Sequence, residues 1–530
     1  MKVLRAIVRQ ELVEHLLSFR WLVGSAMTAI LALLATAVGV EDFTLRQRVY
    51  EEQQAKHREA LAEVRVYSFL QPIVLRPPEP LSVFDRGFEG RLGDQVRINV
   101  FSIPVRATGG APGNPFLSDF RSLDLTTLVV VVLGLLALLL TFDGIVGARQ
   151  SGNLRLKLAL DVGPGTLLAG AFFGALLALV AALLAGIVPS LAFLAWRLDG
   201  ALDAGRWLRI AGLAGAWGLY LAFMLLLGLF FSTVARSAGA SLRLSILVWL
   251  LIVFLLPQAA NLAVGALAGT GVDPQRLQDE VAALLAERDA ALADLLGREP
   301  MRAEPSGHRA PFYTTTWNRA VMWRYGSASF YDSLARFHRR EIAIGLAYAE
   351  RVFDLERAYQ RQLQRLERLS VGLASSSPAF LVERIAESLA GTSIADQEAF
   401  LARCREYREQ LIAYLETRRA FGSWIWFTDD LTARPWTSVF GLRPEEVNRE
   451  NLAELSRRYQ RPEVQAELAR GPRLELDLDD LPRFRVPPLA PRRAGRRVGW
   501  AIAALASMNA LLAAALALRA RSIEGSGARR

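Results

Sequence analysis

Two uncharged apolar runs lying close together in the chain limit what it can fold into. One extends from Leu125 to Thr141, and the other begins at Thr166 and continues to Val188. A hydrocarbon core of about 30 Å is crossed by about 20 helical residues, so each run is long enough to span a membrane. The stretch between them, FDGIVGARQSGNLRLKLALDVGPG (Phe142 to Gly165), carries Asp143, Arg149, Arg155, Lys157 and Asp161 and cannot lie in hydrocarbon. It reads as a short helix at the membrane face, with Leu154, Leu156, Leu158 and Leu160 near the lipid or the helix ends. Its three cations against two acids favour the cytoplasmic side, where short positive loops are retained.

The same reasoning gives four more spans, for six in all: residues 21–40, 125–142, 166–188, 208–234, 244–268 and 498–518. Residues 1–20 are amphipathic, with Lys2, Arg5, Arg9 and Arg20 among Leu, Ile and Val at helical spacing. No small-residue cleavage site follows a short apolar core, so this stretch is expected to be an interfacial helix leading into the first span. Pro257, Gln258 and Asn261 fall within or near the end of the fifth span, where a kink would free carbonyls for neighbours to satisfy.

Charge is concentrated between the spans. Residues 41–124 open with a charged helix and continue with Pro and Gly punctuation and alternating Val/Ile positions, as in short strands. Residues 269–497 carry a 3.6-residue apolar period in several places, notably from Asp273, from about Ser329 to Leu369, and from about Ala395 to Arg419. The fold class expected is an α-helical polytopic membrane protein with one small α+β and one large, mainly helical extracytoplasmic domain. With the N-terminus inside, the loops 143–165 and 235–243 and the tail 519–530 are all cytoplasmic and all carry Arg or Lys. RRAGRR (Arg492 to Arg497) on the outer flank of the last span runs against the charge rule, which long translocated domains obey weakly.

The net charge of +10 is assigned to topology and lipid headgroups, because no basic stripe with interleaved aromatics points to nucleic acid. The lone Cys404 excludes an internal disulfide, and His15, His57, His308 and His338 form no metal-ligand spacing. The acidic run at Asp477 lacks the spacing and glycine of a calcium loop. No phosphate-binding loop, H-E-x-x-H or G-x-S-x-G is present, and Gly109 to Gly113 reads as a turn. Tyr313, His308 and Asp332 are the nearest approach to an enzyme site. The spans are almost free of ionisable groups; Arg209 lies at the outer end of the fourth. Ion-coupled transport usually needs such groups at mid-membrane, so the energy for any transport would have to come from elsewhere, a separate ATPase being the natural supplier.

The polar loop resembles the coupling region of ABC-2-type transporter permeases, which reads E-x-x-x-G-T-L-x-x-L-L and docks on the ATP-binding subunit. Gly152, Leu154, Leu156 and Leu158 match its Gly-x-Leu skeleton, while Ala148, Arg149 and Asn153 depart from its Glu and Thr. A closer resemblance is to a subgroup with R-P-P-x-P-L-S-x-x-x-x-G in the first external block (Arg76, Pro77, Pro78, Pro80, Leu81, Ser82, Gly87) and a helical insertion before the last span. Ser377 to Thr392, Phe400 to Leu411 and Asp480 to Phe484 resemble its recurring segments.

The resemblance implies a non-catalytic permease subunit of the bacterial inner membrane, both termini cytoplasmic, exporting or extracting a lipid-like, amphiphilic or peptidic substrate. ATP and Mg would be bound by two ATPase copies, and a second or paralogous permease would complete the membrane part. Membrane lipids and a periplasmic protein are the other partners implied; no cofactor or metal is expected in this chain. The ATPase-contacting residues would be Asp143, Gly147, Arg149, Gln150, Gly152, Asn153, Leu154, Arg155 and Lys157. The alternative is a mechanotransmitting subunit that works an external partner while nothing crosses.

Overall fold

The computed structural model describes residues 2–109, 124–154, 162–198, 202–267, 273–298, 328–429, a few residues between 451 and 463, and 476–527. Among them, six helices are long and apolar enough to cross a membrane. The amphipathic helix α1 (Lys2–Leu16) is followed by α2 (Phe19–Ala62), which Ser18 caps by accepting from the Trp21 amide at 3.2 Å. The first span and the charged helix after it are one 44-residue rod. Its buried residues Gly24, Thr28, Ala32, Thr36 and Val40 recur every four positions, a helical stripe. Thr28 and Thr36 return their hydroxyls to the Gly24 and Ala32 carbonyls, so neither hydroxyl is left bare in the apolar layer.

The next span, α3, runs from Leu125–Leu128 through a π turn at Val129–Leu133 to Gly134–Thr141, and a short helix, α4 (Val146–Gln150), follows it. Helices α5 (Pro164–Arg197) and α6 (Ala204–Val234) complete the first half. The fifth span, α7, also contains a π turn, passing from Ala238–Leu250 through Leu251–Leu255 to Leu256–Leu267. After α8 (Pro274–Arg298), the 47-residue α9 (Ala328–Ala374) is followed by α10 (Pro378–Ala390), α11 (Ile394–Thr417) and the last span, α12 (Pro491–Gly527).

Each π turn leaves a carbonyl that a hydroxyl from another helix fills. Tyr220 on α6 donates to Val130 O at 2.8 Å, and Gly134 leaves room for its ring. In α7 the Leu256 amide bonds five residues back to Leu251 O. The next amide in that register would serve Ile252 O, but residue 257 is proline and has none. Ser377 donates to Ile252 O instead, at 2.6 Å. The neighbour that satisfies the freed carbonyl is therefore the N-cap residue of α10.

That contact marks the largest departure from the sequence reading. The sequence places residues 269–497 in an outer helical domain, yet Leu381, Val382, Ile385 and Ala386 of α10 are fully buried in the same core as α3, α6, α7 and α12. The lower end of α9 packs along α7, turns at Ser375 to Ser377, and returns as α10, forming a re-entrant hairpin. A second core lies beyond the bundle. It combines Tyr67, Val74, Val96 and Ile98 with Phe330, Tyr331, Phe400, Leu411 and Phe427, so the two polar blocks share one interior. The two-stranded antiparallel sheet, β1 (Ile73–Leu75) and β2 (Gln95–Arg97), pairs Val74 with Val96 on its edge.

The R-P-P-x-P-L-S stretch ties the outer core to the bundle. Arg76 donates to Gln397 at 2.6 Å and to Gly391 O at 2.9 Å, while Ser82 accepts from Arg46 at 3.0 Å. Gly87, at φ +47°, lies against Thr392, where a β-carbon would collide with the threonine hydroxyl.

Candidate functional site

At the opposite end of the bundle, α4 is held on three sides. Its first two amide donors, Ile145 N and Val146 N, both reach Ser232 Oγ, at 3.0 and 3.1 Å. Helix starts leave such donors orphaned, and a fully buried serine near the end of α6 fills them here. Arg149 extends across to the last carbonyls of α6, 3.3 Å from Thr233 O and 3.4 Å from Ala235 O, a favourable place for a cation. Gln150 Oε1 accepts from Ala238 N at 3.3 Å, at the start of α7. Ile145 itself is buried among Leu168, Leu229 and Leu516.

The third restraint comes from the N-terminal helices. Arg20 at the base of α2 forms a 2.8 Å ion pair with Asp143, and its guanidinium lies 4.8 Å from the centre of the Phe142 ring. Helix α1 is seated on α5 at two glycines: a β-carbon at Gly174 would fall 2.5 Å from Glu11 Cβ, and one at Gly170 would collide with Ile7. Between α1 and the loop lies a cleft of 480 Å³, walled by Glu11, Glu14 and His15 on one side and Asp143, Ala148 and Asn153 on the other. Burial pushes the His15 imidazole below its ordinary value, against the opposing pull of Asp143 and Glu14.

The sequence-derived residues thus divide. Asp143, Arg149 and Gln150 hold the loop to α2, α6 and α7. Gly147 donates its amide to Asp143 O at 2.7 Å and starts the helix. Gly152, at φ +79°, ends it in the left-handed region that glycine enters without strain. Ser151, Gly152 and Asn153 form its solvent-facing edge, and Leu154 turns inward. Arg155 and Lys157 lie outside the described residues, as do His308 and Tyr313. Asp332, the remaining member of the enzyme-like trio, accepts from Trp424 Nε1 at 3.1 Å.

Sequence reasoning missed Ser232, Arg20 and the acids of α1. A serine two residues before a helix end, and an arginine where the amphipathic stretch meets the span, were the available signals. Glu11 and Glu14 border Ala148, the position at which the loop lacks the acid of its look-alikes.

The family model described as ABC-2 family transporter protein matches residues 5–321, and a domain of unknown function, DUF3526, matches residues 331–439, which hold the re-entrant hairpin. A Pseudomonas aeruginosa protein named "probable ABC transporter permease protein NosY" is 38% identical over 118 residues. The match covers 22% of this chain and 40% of the relative, so the chain spans less than half of that protein.

Proposed function

The chain belongs to the ABC-2 family of transporter proteins, and from that premise we propose that the exposed edge of α4, with the acidic cleft beside it, receives the ATP-hydrolysing subunit. The chain is a multi-pass membrane permease subunit of an ABC transporter, with ATP hydrolysis in a separate subunit. In our reading the α4 end faces the cytoplasm, both termini lie there, and the shared outer core stands on the far side of a bacterial inner membrane. Two ATPase copies and a second permease, identical or paralogous, complete the assembly, and the cargo is lipid-like, amphiphilic or peptidic.

One observation carries the docking assignment. Helix α4 is clamped to α2, α6 and α7 while Ser151, Gly152 and Asn153 remain exposed, so a push on that edge reaches three membrane helices. Glu11 and Glu14 supply acidic charge beside the loop. The test is co-purification of the ATPase with Ser151→Trp and Asn153→Trp variants. Reduced ATPase recovery with an unchanged permease elution profile is expected; unchanged recovery overturns the docking assignment.

Mechanotransmission is favoured by a separate observation. Helix α2 is continuous from Arg20, at the loop, to Leu61, which packs on the outer core. Its 44 residues make a rod of about 66 Å at 1.5 Å per residue. Reconstituted complexes that hydrolyse ATP without moving labelled phospholipid or peptide would favour this second reading.

A further inference from the structure

The re-entrant hairpin leaves a cleft of 620 Å³ between itself, the start of α11 and the head of α12. Its volume falls in the range of about 300–1,000 Å³ usual for small-ligand sites. Its chemistry is divided. Arg368 on α9, Arg384 on α10 and Arg497 on α12 present guanidinium groups, while Val371, Val498 and Trp500 supply apolar wall.

The three cations are unequally engaged. Arg497 is committed to Asp396 at 2.5 Å. Arg384 meets Glu367 only at 3.9 Å, and Arg368 donates to Gln364 O at 3.3 Å with no ion pair among the described residues. Two acids, Glu367 and Glu398, share the lining. The cleft thus pairs partly free guanidinium groups with one carboxylate on the α9 wall, Glu367, and one on the α11 wall, Glu398. A phosphodiester linked to an ammonium has the matching charge pattern. Guanidinium forks suit phosphate oxygens, and a carboxylate suits the ammonium.

Its position selects the source. Trp500 and Arg497 stand at the head of a span, the level at which tryptophan and arginine meet lipid headgroups. Below them, on the face of α12 that carries Trp500, Leu511 is 72% exposed. We propose that this cleft binds an amine-bearing phospholipid, with its phosphate between Arg368 and Arg384, its ammonium toward Glu367 or Glu398, and its acyl chains along α12. This deepens the lipid-like cargo reading and rests on the membrane assignment made there.

The test is native mass spectrometry of the purified complex, without ATP, after titration with phosphatidylethanolamine. Wild-type chain is expected to retain the lipid, and the Arg368→Ala/Arg384→Ala double variant to retain it about tenfold more weakly. The charge-keeping Arg368→Lys/Arg384→Lys variant should recover only part of the loss, because an ammonium keeps the charge without the fork, and thermal unfolding of all three identifies misfolding. Equal retention by wild type and the double alanine variant overturns the site. Equal retention of phosphatidylglycerol overturns the ammonium recognition, and displacement by soluble glycerophosphoethanolamine as effective as by the lipid overturns the membrane source. ATPase recovery measured in the same preparations separates failure here from failure of the docking assignment.

Discussion

Arg209 Nη2 lies 2.6 Å from Glu79 Oε1, joining the head of the α6 span to the R-P-P-x-P segment. Arg209 is only 2% exposed and also donates to Leu389 O at 3.2 Å, so one guanidinium pins α6, the outer loop and the end of α10 together. Removing one partner of a buried pair costs about 3–5 kcal/mol, because the other charge stays desolvated. Arg209→Ala should therefore lower the unfolding temperature of the detergent-solubilised chain well beyond a surface substitution. Burial already holds the Glu79 carboxyl above its ordinary value of 4.5, and Arg209 opposes that rise. A raised carboxyl binds more protons folded than unfolded, so this group's contribution to stability grows as pH falls toward 4.5. Losing Arg209 enlarges the effect: the variant should regain stability in mildly acidic buffer by more than wild type does. A deficit independent of pH would refute the assignment.

Ser377 carries the second prediction. It donates to the carbonyl that Pro257 leaves unserved and accepts from the Phe380 amide at 3.2 Å, so one hydroxyl anchors the hairpin tip and caps α10. A buried unsatisfied carbonyl costs about 1–3 kcal/mol. Ser377→Ala should destabilise by that order, read by thermal unfolding, while Ser377→Thr keeps the hydroxyl and most of the stability. Restoring the amide by Pro257→Ala in the alanine background should recover part of the loss, since α7 can then serve Ile252 O itself. No recovery would mean the π turn is set by something else.

The six spans were legible because apolar length is a local property, and the helical outer segments because their apolar period is local too. The hairpin was not. Helix α10 has 13 residues, too few to span, and Glu383, Arg384 and Glu387 gave it the look of a surface helix. Only the placement of its apolar side between α6 and α12 reveals where it goes. The shared outer core was hidden for a related reason: Ile98 and Phe400 belong to one core across a sequence separation that no window covers. In the loop, residue types pointed to Asp143, Arg149 and Gln150. Their partners Arg20, Thr233 and Ala238 come from other helices and have no motif.

The seat of α1 gives a prediction that separates it from the bundle. Gly174 faces Glu11 Cβ and the Leu12 amide closely enough that any β-carbon must displace α1 rather than a flexible side-chain end. Gly174→Leu should lift α1 from α5, with an overpacking cost of about 1–3 kcal/mol. The check is a cysteine pair across the contact, in a background lacking Cys404, whose crosslinking should fall in the leucine variant. Unfolding of the remainder should change little, because α5 meets α2 through other positions such as Gly186. Undiminished crosslinking would show that α1 is not held there.

His15 makes the same junction sensitive to pH. Its imidazole lies below the ordinary value of 6.5, with burial the largest cause and Arg20 adding to it, while Asp143 and Glu14 pull the other way. A histidine held low is neutral when packed and more readily protonated when released. The released state therefore takes up protons as pH falls below 6.5, and the α1–loop contact weakens through that window until the packed histidine titrates as well. Crosslinking between α1 and the α3–α4 loop should decline on mild acidification in wild type and stay level in His15→Gln, which cannot titrate. Asp143→Asn should steepen the decline, because it removes the charge that most favours the protonated ring and breaks the ion pair with Arg20. A wild-type profile flat across this window, or one that His15→Gln leaves unchanged, would assign the pH response elsewhere.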